Sequence, residues 1–359
     1  MKAKLLKSKF EVFRDKKVLI TGHTGFKGSW LAFTLAGIGA KVYGLSLSEP
    51  ENPYHAYYAL GIKENLINSG SDLGDVREKD LAEIISLVNP DFIFHLAAQA
   101  IVATSYLDPY LTFSTNTGGT LNLLEILRTT KSIATVVVIT SDKCYKNLNS
   151  ARAYIEGDEL GGSDPYSSSK AAAEIIFGSY LISYPNLCSK NGIASARAGN
   201  VFGGGDWSKN RLIPDCVRDI FEGNPIHLRM PNATRPWTFV NDIINGYLEL
   251  ALALRANPIK FRGSWNFASG EKLTVSEVAQ IFINQIGQGE IDTLTEYMIG
   301  YESELLQIDP EKANEQLDWH CLYPIKTALL ITAEWYKLQH GKGDIKAYSK
   351  QLLEKYYTK

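Results

Sequence analysis

Two pairs of residues in this chain have the types and spacing to move protons. Tyr166 and Lys170, in "DPYSSSKAAAEII", stand four apart and so share one face of a helix. Of the nineteen tyrosines, Tyr166 alone has a lysine at that offset. A phenol titrates near ~10 and a neighbouring ammonium favours its anion, which would make Tyr166 a usable base near neutrality. The second pair is Asp142 and Lys143, in "TSDKCY", directly after the apolar run Thr135 to Ile139. Opposite charges at the end of a buried strand are costly to place. A lone pair of this kind reads as a solvated strand end with a local ion pair, so other residues must assign it a task.

A third feature is Gly22-x-x-Gly25-x-x-Gly28, between an expected strand and an expected helix. Glycines there allow a tight turn, let backbone approach a pyrophosphate, and let helix and strand pack without an intervening Cβ. The phosphates would meet the unpaired N–H groups of the helix N-terminus. This implies a dinucleotide, with Thr24, Phe26 and Lys27 in the same turn. The acidic residue that usually ends the second strand is replaced by Ser46, with Glu49 a poor substitute, and no Arg stands there for a 2′-phosphate. NAD is therefore preferred to NADP. Asp75 and Val76, in "GDVRE", follow an expected third strand. Asp75 suits either an adenine edge or the N-cap of a helix from Arg77.

The elements that must position these groups alternate. Strands are expected at Lys17 to Thr21, Lys41 to Leu47, "DFIFHLAA", "TVVVITS" and "IASARAGNVFG". Helices are expected at Ser29 to Ala36, Arg77 to Val88, Asn116 to Arg128 and onward from Tyr166. This is the pattern of an α/β protein with a Rossmann-type, doubly wound parallel sheet. After Gly203 the sequence becomes Pro- and Gly-punctuated and reads as a smaller α/β lobe. "WNFAS" is a further strand and "TVSEVAQIFINQIG" a further helix. The expected division is a dinucleotide-binding domain over 1–203 and about 237–267, with the lobe over 204–236 and 268–359. Trp207 and Trp237 read as lobe core.

Length and composition set bounds. The 359 residues suffice for a large core, and the net charge of −2 provides no footprint for nucleic acid or anionic membrane. No apolar run approaches ~20 residues, so no bilayer span is expected. The opening "MKAKLLKSKFEVFRDKK" is basic but lacks an apolar centre and a cleavage site, and does not read as a secretory leader. The four cysteines, Cys144, Cys188, Cys216 and Cys321, are far apart, without CxxC. This argues against zinc and against a disulfide framework. No metal is expected, and reduced cytosol is the simplest location.

The glycine turn, "HLAAQ" (His95 to Gln99), Asn116, "TSDKCY", YxxxK and "RAGNV" together resemble the extended short-chain dehydrogenase/reductases that act on nucleotide sugars. More narrowly, "GHTGFKGSWL", "SDKCY", "GGSDPYSSSKA", "RAGNVFGGGDW", "RLIPD" and "RPW" resemble the CDP-glucose 4,6-dehydratase family, over roughly residues 17–340. The resemblance implies an NAD-dependent, redox-neutral dehydration. Tyr166 takes the proton of the sugar 4-hydroxyl while the hydride at carbon 4 passes to NAD, and Lys170 holds the nicotinamide ribose. Asp142 and Lys143 then supply acid and base for loss of water across carbons 5 and 6, and the hydride returns to carbon 6. Assigning the base to Lys143 requires its amine to be neutral, which a protonated Asp142 would permit. Ser141 is either a donor to the 4-oxygen or a structural cap. The resemblance further assigns Leu96, Ala97, Ala98, Gln99 and Asn116 to the cofactor. It assigns Asn200, Arg211, Leu212 and Arg235 to the substrate, Arg being suited to forked bonds with phosphate. It also implies a homodimer formed by the helices after Asn116 and Tyr166, and a place in deoxysugar biosynthesis of the kind that supplies lipopolysaccharide O-antigens.

The sequence departs from the family pattern at Ala103 and Thr104, at Ile155, and in "RPWTFVNDII". All lie near the expected substrate lobe and bear on the nucleotide base and the sugar. A sister activity, 4-epimerase, reductase or another nucleotide-sugar dehydratase, is the alternative reading, and an NAD(H)-binding sensor a more distant one. An epimerase needs Tyr166 and Lys170 but has no task for Asp142 and Lys143.

Overall fold

Apolar and β-branched runs along the chain become six parallel strands of one sheet in the computed structural model, which describes residues 9–357 apart from 68–72, 150–151, 229 and 293–305. The strands are β1 (Lys17–Thr21), β2 (Lys41–Leu45), β3 (Phe92–His95), β4 (Thr135–Ile139), β5 (Ile193–Ala198) and, after three strands of the lobe, β9 (Gly263–Phe267). Their order is β2-β1-β3-β4-β5-β9. Every residue of β3, β4 and β5 is buried, as expected for parallel strands covered on both faces. The period of two divides the core. Val18, Ile20, Phe92, Phe94, Val137 and Ile139 pack into one apolar cluster, and Leu19, Ile93, Val136 and Val138 into another on the opposite face. The winding reverses between β1 and β3, and the crevice at their carboxyl ends is where such sheets bind ligands.

The remaining strands form β6 (Asn200–Phe202), β8 (Thr234–Phe239) and β10 (Lys272–Thr274) in one small sheet, and β7 (Ile226–His227) with β11 (Ile291–Asp292) in another. The single strand expected over Ile193 to Gly203 is therefore two. It breaks at Gly199: β5 stays in the large sheet, while β6 turns away to pair with β8. A Cβ on Gly199 would lie 3.1 Å from Asp142 Oδ2, so the break also leaves room for that carboxylate.

Other expected boundaries move by a few residues. The helix expected from Arg77 begins at Asp80. The helix expected from Asn116 is α-helical from Gly119 to Thr129, preceded by one π turn over Ser114–Gly118. The helix at Thr274 has the reciprocal capping box with Glu277 and ends on a left-handed Gly287. Of the strand expected before Asp75, the described part is one parallel bridge from Leu73 to Ser46; the rest lies outside the described residues, as does the start of the basic N-terminal stretch. Trp237 is buried as lobe core, its indole N–H donating to the Leu273 carbonyl, while Trp207 is half-buried against Tyr54 and Tyr336. Among the described residues, no helix is long and apolar enough to cross a membrane.

Candidate active site

The glycine turn is built by close approach. Gly22 has φ +75°, and a Cβ on it would lie 2.7 Å from the backbone nitrogen of Ala97. A Cβ on Gly28 would lie 2.0 Å from the Gly22 carbonyl oxygen, so the helix Phe26–Ile38 packs directly on the turn. That helix opens at Gly25 with no side-chain cap, which leaves the N–H groups of its first turn available to an anion. Thr24 donates its backbone N–H to Ser46 Oγ at 3.3 Å, and Ser46 Oγ lies 3.0 Å from His23 Nδ1. Ser46 thus binds the turn itself. Gly22, Thr24, Gly25, Phe26, Gly28, Leu96 and Ala97 converge at the carboxyl ends of β1 and β3, a cradle that fits a dinucleotide pyrophosphate.

Asp75 does not take the expected helix-cap role. Its carboxylate is paired with Arg77 and accepts the Arg77 backbone N–H at 2.9 Å, so it closes a local turn instead of capping the helix that starts at Asp80. Val76 is buried against Gly119. Asn116, in the π turn, ties three segments: its Oδ1 accepts the Gln99 N–H at 2.8 Å, and its Nδ2 donates to the Gln99 carbonyl and to Ser169 Oγ. An extra-residue turn at such a place is common near functional sites. It fixes the Leu96–Gln99 segment, Ala98 included, to the helix that carries Tyr166 and Lys170.

The two proton-moving pairs meet as follows. After β4 the chain closes one 3-10 turn, Asp142–Cys144, capped by Ser141. The following loop returns so that the Gly161 N–H donates to the Cys144 carbonyl at 2.9 Å. Gly162 then passes so close to Ser168 that a Cβ would lie 2.3 Å from its nitrogen. Asp164 caps the helix Pro165–Ser183, accepting the Ser167 N–H at 2.9 Å. Tyr166 and Lys170 are thereby buried next to the turn, where Ser141 favours the Tyr166 phenolate. Ser141 Oγ also donates to Asp142 Oδ1 at 2.9 Å.

Charge in the site is unbalanced toward cations. Burial raises the Asp142 carboxyl above its ordinary range, opposed by Lys143, Ser141 and Lys27. Lys143 is half-buried, and its charge is the foremost one acting on Asp142. Burial lowers Lys170 to about 8, opposed by Glu174 and Cys144. Burial lowers Lys27 to about 7, reinforced by Lys170 and Arg211 and opposed by Asp142. The depressed phenol expected of Tyr166 is not found. Burial pushes it up to about 12; Asp142 and Asp164 add to the rise, while Ser141 and Arg211 oppose it. Desolvation of the phenolate outweighs the neighbouring positive charge.

Of the residues expected at the substrate, Arg211 stands at the start of the Leu212–Glu222 helix, its Nη1 2.9 Å from Asp206 Oδ2, and its charge reaches both Tyr166 and Lys27. Asn200 opens β6, two residues after the end of β5, and Leu212 is the first residue of the helix that follows Arg211. Arg235 lies on β8 opposite Leu273. Sequence reasoning missed Tyr247, which belongs to no motif visible in the sequence and whose hydroxyl accepts from Lys27 Nζ at 3.4 Å. It also missed Glu174 and Arg197, although a carboxylate one turn past Lys170 and an arginine inside an apolar strand were both readable signals. Among the described residues, no cluster of three or more His, Cys, Asp or Glu side chains is arranged to hold a metal.

With this geometry in place, the comparisons are specific. A family model described as GDP-mannose 4,6 dehydratase matches residues 19–330. The chain is 36% identical over 353 residues to the CDP-glucose 4,6-dehydratase of Salmonella typhimurium, covering 96% of this chain and 97% of that protein. The UDP-glucose 4-epimerase of Thermus thermophilus, solved in complex with NAD, matches with a TM-score of 0.74 at 25% identity, over 89% of this chain and 99% of that one. The dTDP-glucose 4,6-dehydratase of Bacillus anthracis, also solved with NAD, matches with a TM-score of 0.71 at 23% identity, over 91% and 98%. The fold is that of the Rossmann-type dehydratases and epimerases, and the chain belongs to the GDP-mannose 4,6 dehydratase family.

Proposed function

We propose that this chain is an NAD-dependent nucleotide-sugar 4,6-dehydratase whose substrate is CDP-glucose. One observation carries the reading: Asp142 and Lys143 sit on a single turn capped by Ser141 and packed against the helix of Tyr166, in a chain 36% identical over nearly its whole length to a CDP-glucose 4,6-dehydratase. NAD, when bound, accepts the hydride of carbon 4 and gives it back to carbon 6. The glycine turn and the Leu96–Gln99 segment would hold it, with Lys170 at its ribose. Tyr166 takes the proton of the 4-hydroxyl as its phenolate, a form that Arg211, Ser141 and the positive charge of oxidised NAD would favour against the burial that keeps the phenol protonated. The ketone so formed acidifies carbon 5, and Lys143 is the base that removes that proton and returns it to carbon 5 as the hydride enters carbon 6. Asp142 protonates the hydroxyl leaving carbon 6, a role supported by the burial that favours its neutral form. Arg211, Arg235, Asn200 and Leu212 would hold the nucleotide diphosphate and sugar.

A 4-epimerase is the second reading, favoured by the likeness to the Thermus thermophilus enzyme. It assigns no task to the Asp142–Lys143 turn. The test is to incubate the protein with CDP-, dTDP-, UDP- and GDP-linked glucose and follow the 4-keto-6-deoxy product by its absorbance in base. Product from CDP-glucose first is the expected result; a 4-epimer with no dehydration would overturn the reading. The same reading divides the chain into a dinucleotide domain, 1–203 and about 237–267, and a sugar lobe, and makes it a homodimer. Four free thiols support a reduced, cytoplasmic setting, and the product suits deoxysugars of lipopolysaccharide O-antigens.

A further inference from the structure

Behind the Asp142–Lys143 turn lies a buried ion pair that the chemistry above does not use. Glu174 stands one helical turn beyond Lys170, and its side chain is 0% exposed; Arg197, on β5, is 3% exposed. The Glu174 carboxylate accepts from Thr140 Oγ1 at 2.5 Å, Arg197 Nη2 at 2.7 Å, Ser264 Oγ at 2.9 Å and Ser195 Oγ at 3.0 Å. Arg197 Nη1 donates to the Tyr145 hydroxyl at 2.7 Å and to the Glu156 carbonyl at 3.2 Å, and the guanidinium lies 4.8 Å from the Tyr145 ring centre. Thr140 and Tyr145 are the residues that bracket Ser141, Asp142, Lys143 and Cys144. One partner of the pair therefore grips the entrance of the turn and the other its exit.

We infer that Glu174 and Arg197 are positioning residues for the reaction: together they latch both ends of the Ser141–Cys144 turn to the helix carrying Tyr166 and Lys170. The latch rests on the dehydratase reading for its kinetic consequence, though not for its geometry. A buried ion pair is weak evidence of stability, since apolar replacements of both partners often do as well. What the pair does supply is direction, because seven hydrogen bonds to charged groups have narrow geometry. Reacting groups displaced by about 1 Å lose on the order of a hundredfold in rate. Glu174 has a second effect. Lys170 is faced by Glu174 from its own helix, by Cys144 from the turn, and by His95 and Lys27 from β3 and the glycine-turn helix. Of these only Glu174 is a carboxylate, and its charge favours Lys170's protonated form against the burial that lowers it.

The test is the double variant Glu174→Leu/Arg197→Met, which removes both charges and leaves neither unpaired. Amide hydrogen exchange over residues 140–145 is expected to speed up while exchange in β4 and β5 stays slow. With CDP-glucose, kcat is expected to fall by about tenfold or more and KM to stay within about twofold. The alkaline limb of kcat/KM is expected to move to lower pH, because Lys170 loses the anion that holds its proton. Wild-type exchange at the turn, or wild-type kcat and pH profile, would overturn the latch. Should the double variant not fold, Thr140→Val and Tyr145→Phe release the two ends separately without touching a charge. Each is expected to lower kcat by about threefold or more at unchanged KM, and unchanged kcat in both overturns the proposal. Failure of the dehydratase reading shows instead as wild-type protein without product, in which case the exchange measurement alone decides the latch.

Discussion

Lys143 leaves a buried strand on a three-residue turn, half-exposed, with the Asp142 carboxyl beside it held toward its neutral form by burial. The function proposed above makes the two residues acid and base of one dipeptide. Lys143→Ala should abolish 4-keto-6-deoxy product, a loss of about a thousandfold or more, while oxidation at carbon 4, read as reduced nicotinamide absorbance, continues. Full turnover in the variant would remove Lys143 from the reaction. Lys27 is a different case: the glycine motif assigns it to the cofactor, yet its amine lies near Tyr247, with Lys170 and Arg211 pushing it from 10.5 to about 7 after burial. Between those two values the unfolded chain holds a proton there that the folded chain does not, so Lys27 opposes folding increasingly as pH falls through that window. Lys27→Met should therefore raise the thermal midpoint by about 2–4 °C at acidic pH, with the gain fading toward pH ~10. A lower midpoint at acidic pH would contradict this account.

Among elements, the glycine turn and the helix after it depend on absent side chains. The Gly28 Cβ position meets a backbone carbonyl 2.0 Å away, which no rotamer change relieves. Gly28→Ala should cost about 1–3 kcal/mol by overpacking and weaken NAD binding at least tenfold, read by urea titration and by cofactor retained through purification. Retention at the wild-type level would show that the turn adapts. The helix Pro165–Ser183 is located by Asp164 and by the loop closure at Gly161 and Gly162, which is why Tyr166 begins its first turn beside Ser141.

For the whole molecule, large apolar side chains remain exposed on the neighbouring helices around the site. Leu107 is 86% exposed, Tyr110 81%, Ile175 57% and Ile182 84%. Ile175 and Ile182 are two turns apart on the Pro165–Ser183 helix, the element expected at the dimer face. The homodimer proposed above would cover these side chains. Light scattering should give twice the chain mass, and Ile175→Glu/Ile182→Glu should shift it to the monomer. A wild-type monomer at micromolar concentration would refute the homodimer.

Sequence alone was enough for the parallel sheet, the glycine turn, and the placing of Tyr166 with Lys170 on one helix and Asp142 with Lys143 at a strand end, because each is local: periodicity, turn chemistry and an i, i+4 offset are written within about ten residues. The division of Ile193 to Gly203 between two sheets, the engagement of Asp75 by Arg77, and the rise of the Tyr166 phenol to about 12 were not readable in this way. Nor was the grip of Glu174 and Arg197 on the two ends of the Asp142 turn. Each depends on which distant segments exclude water from a group and which donors they bring to it, and only the closed tertiary fold decides burial.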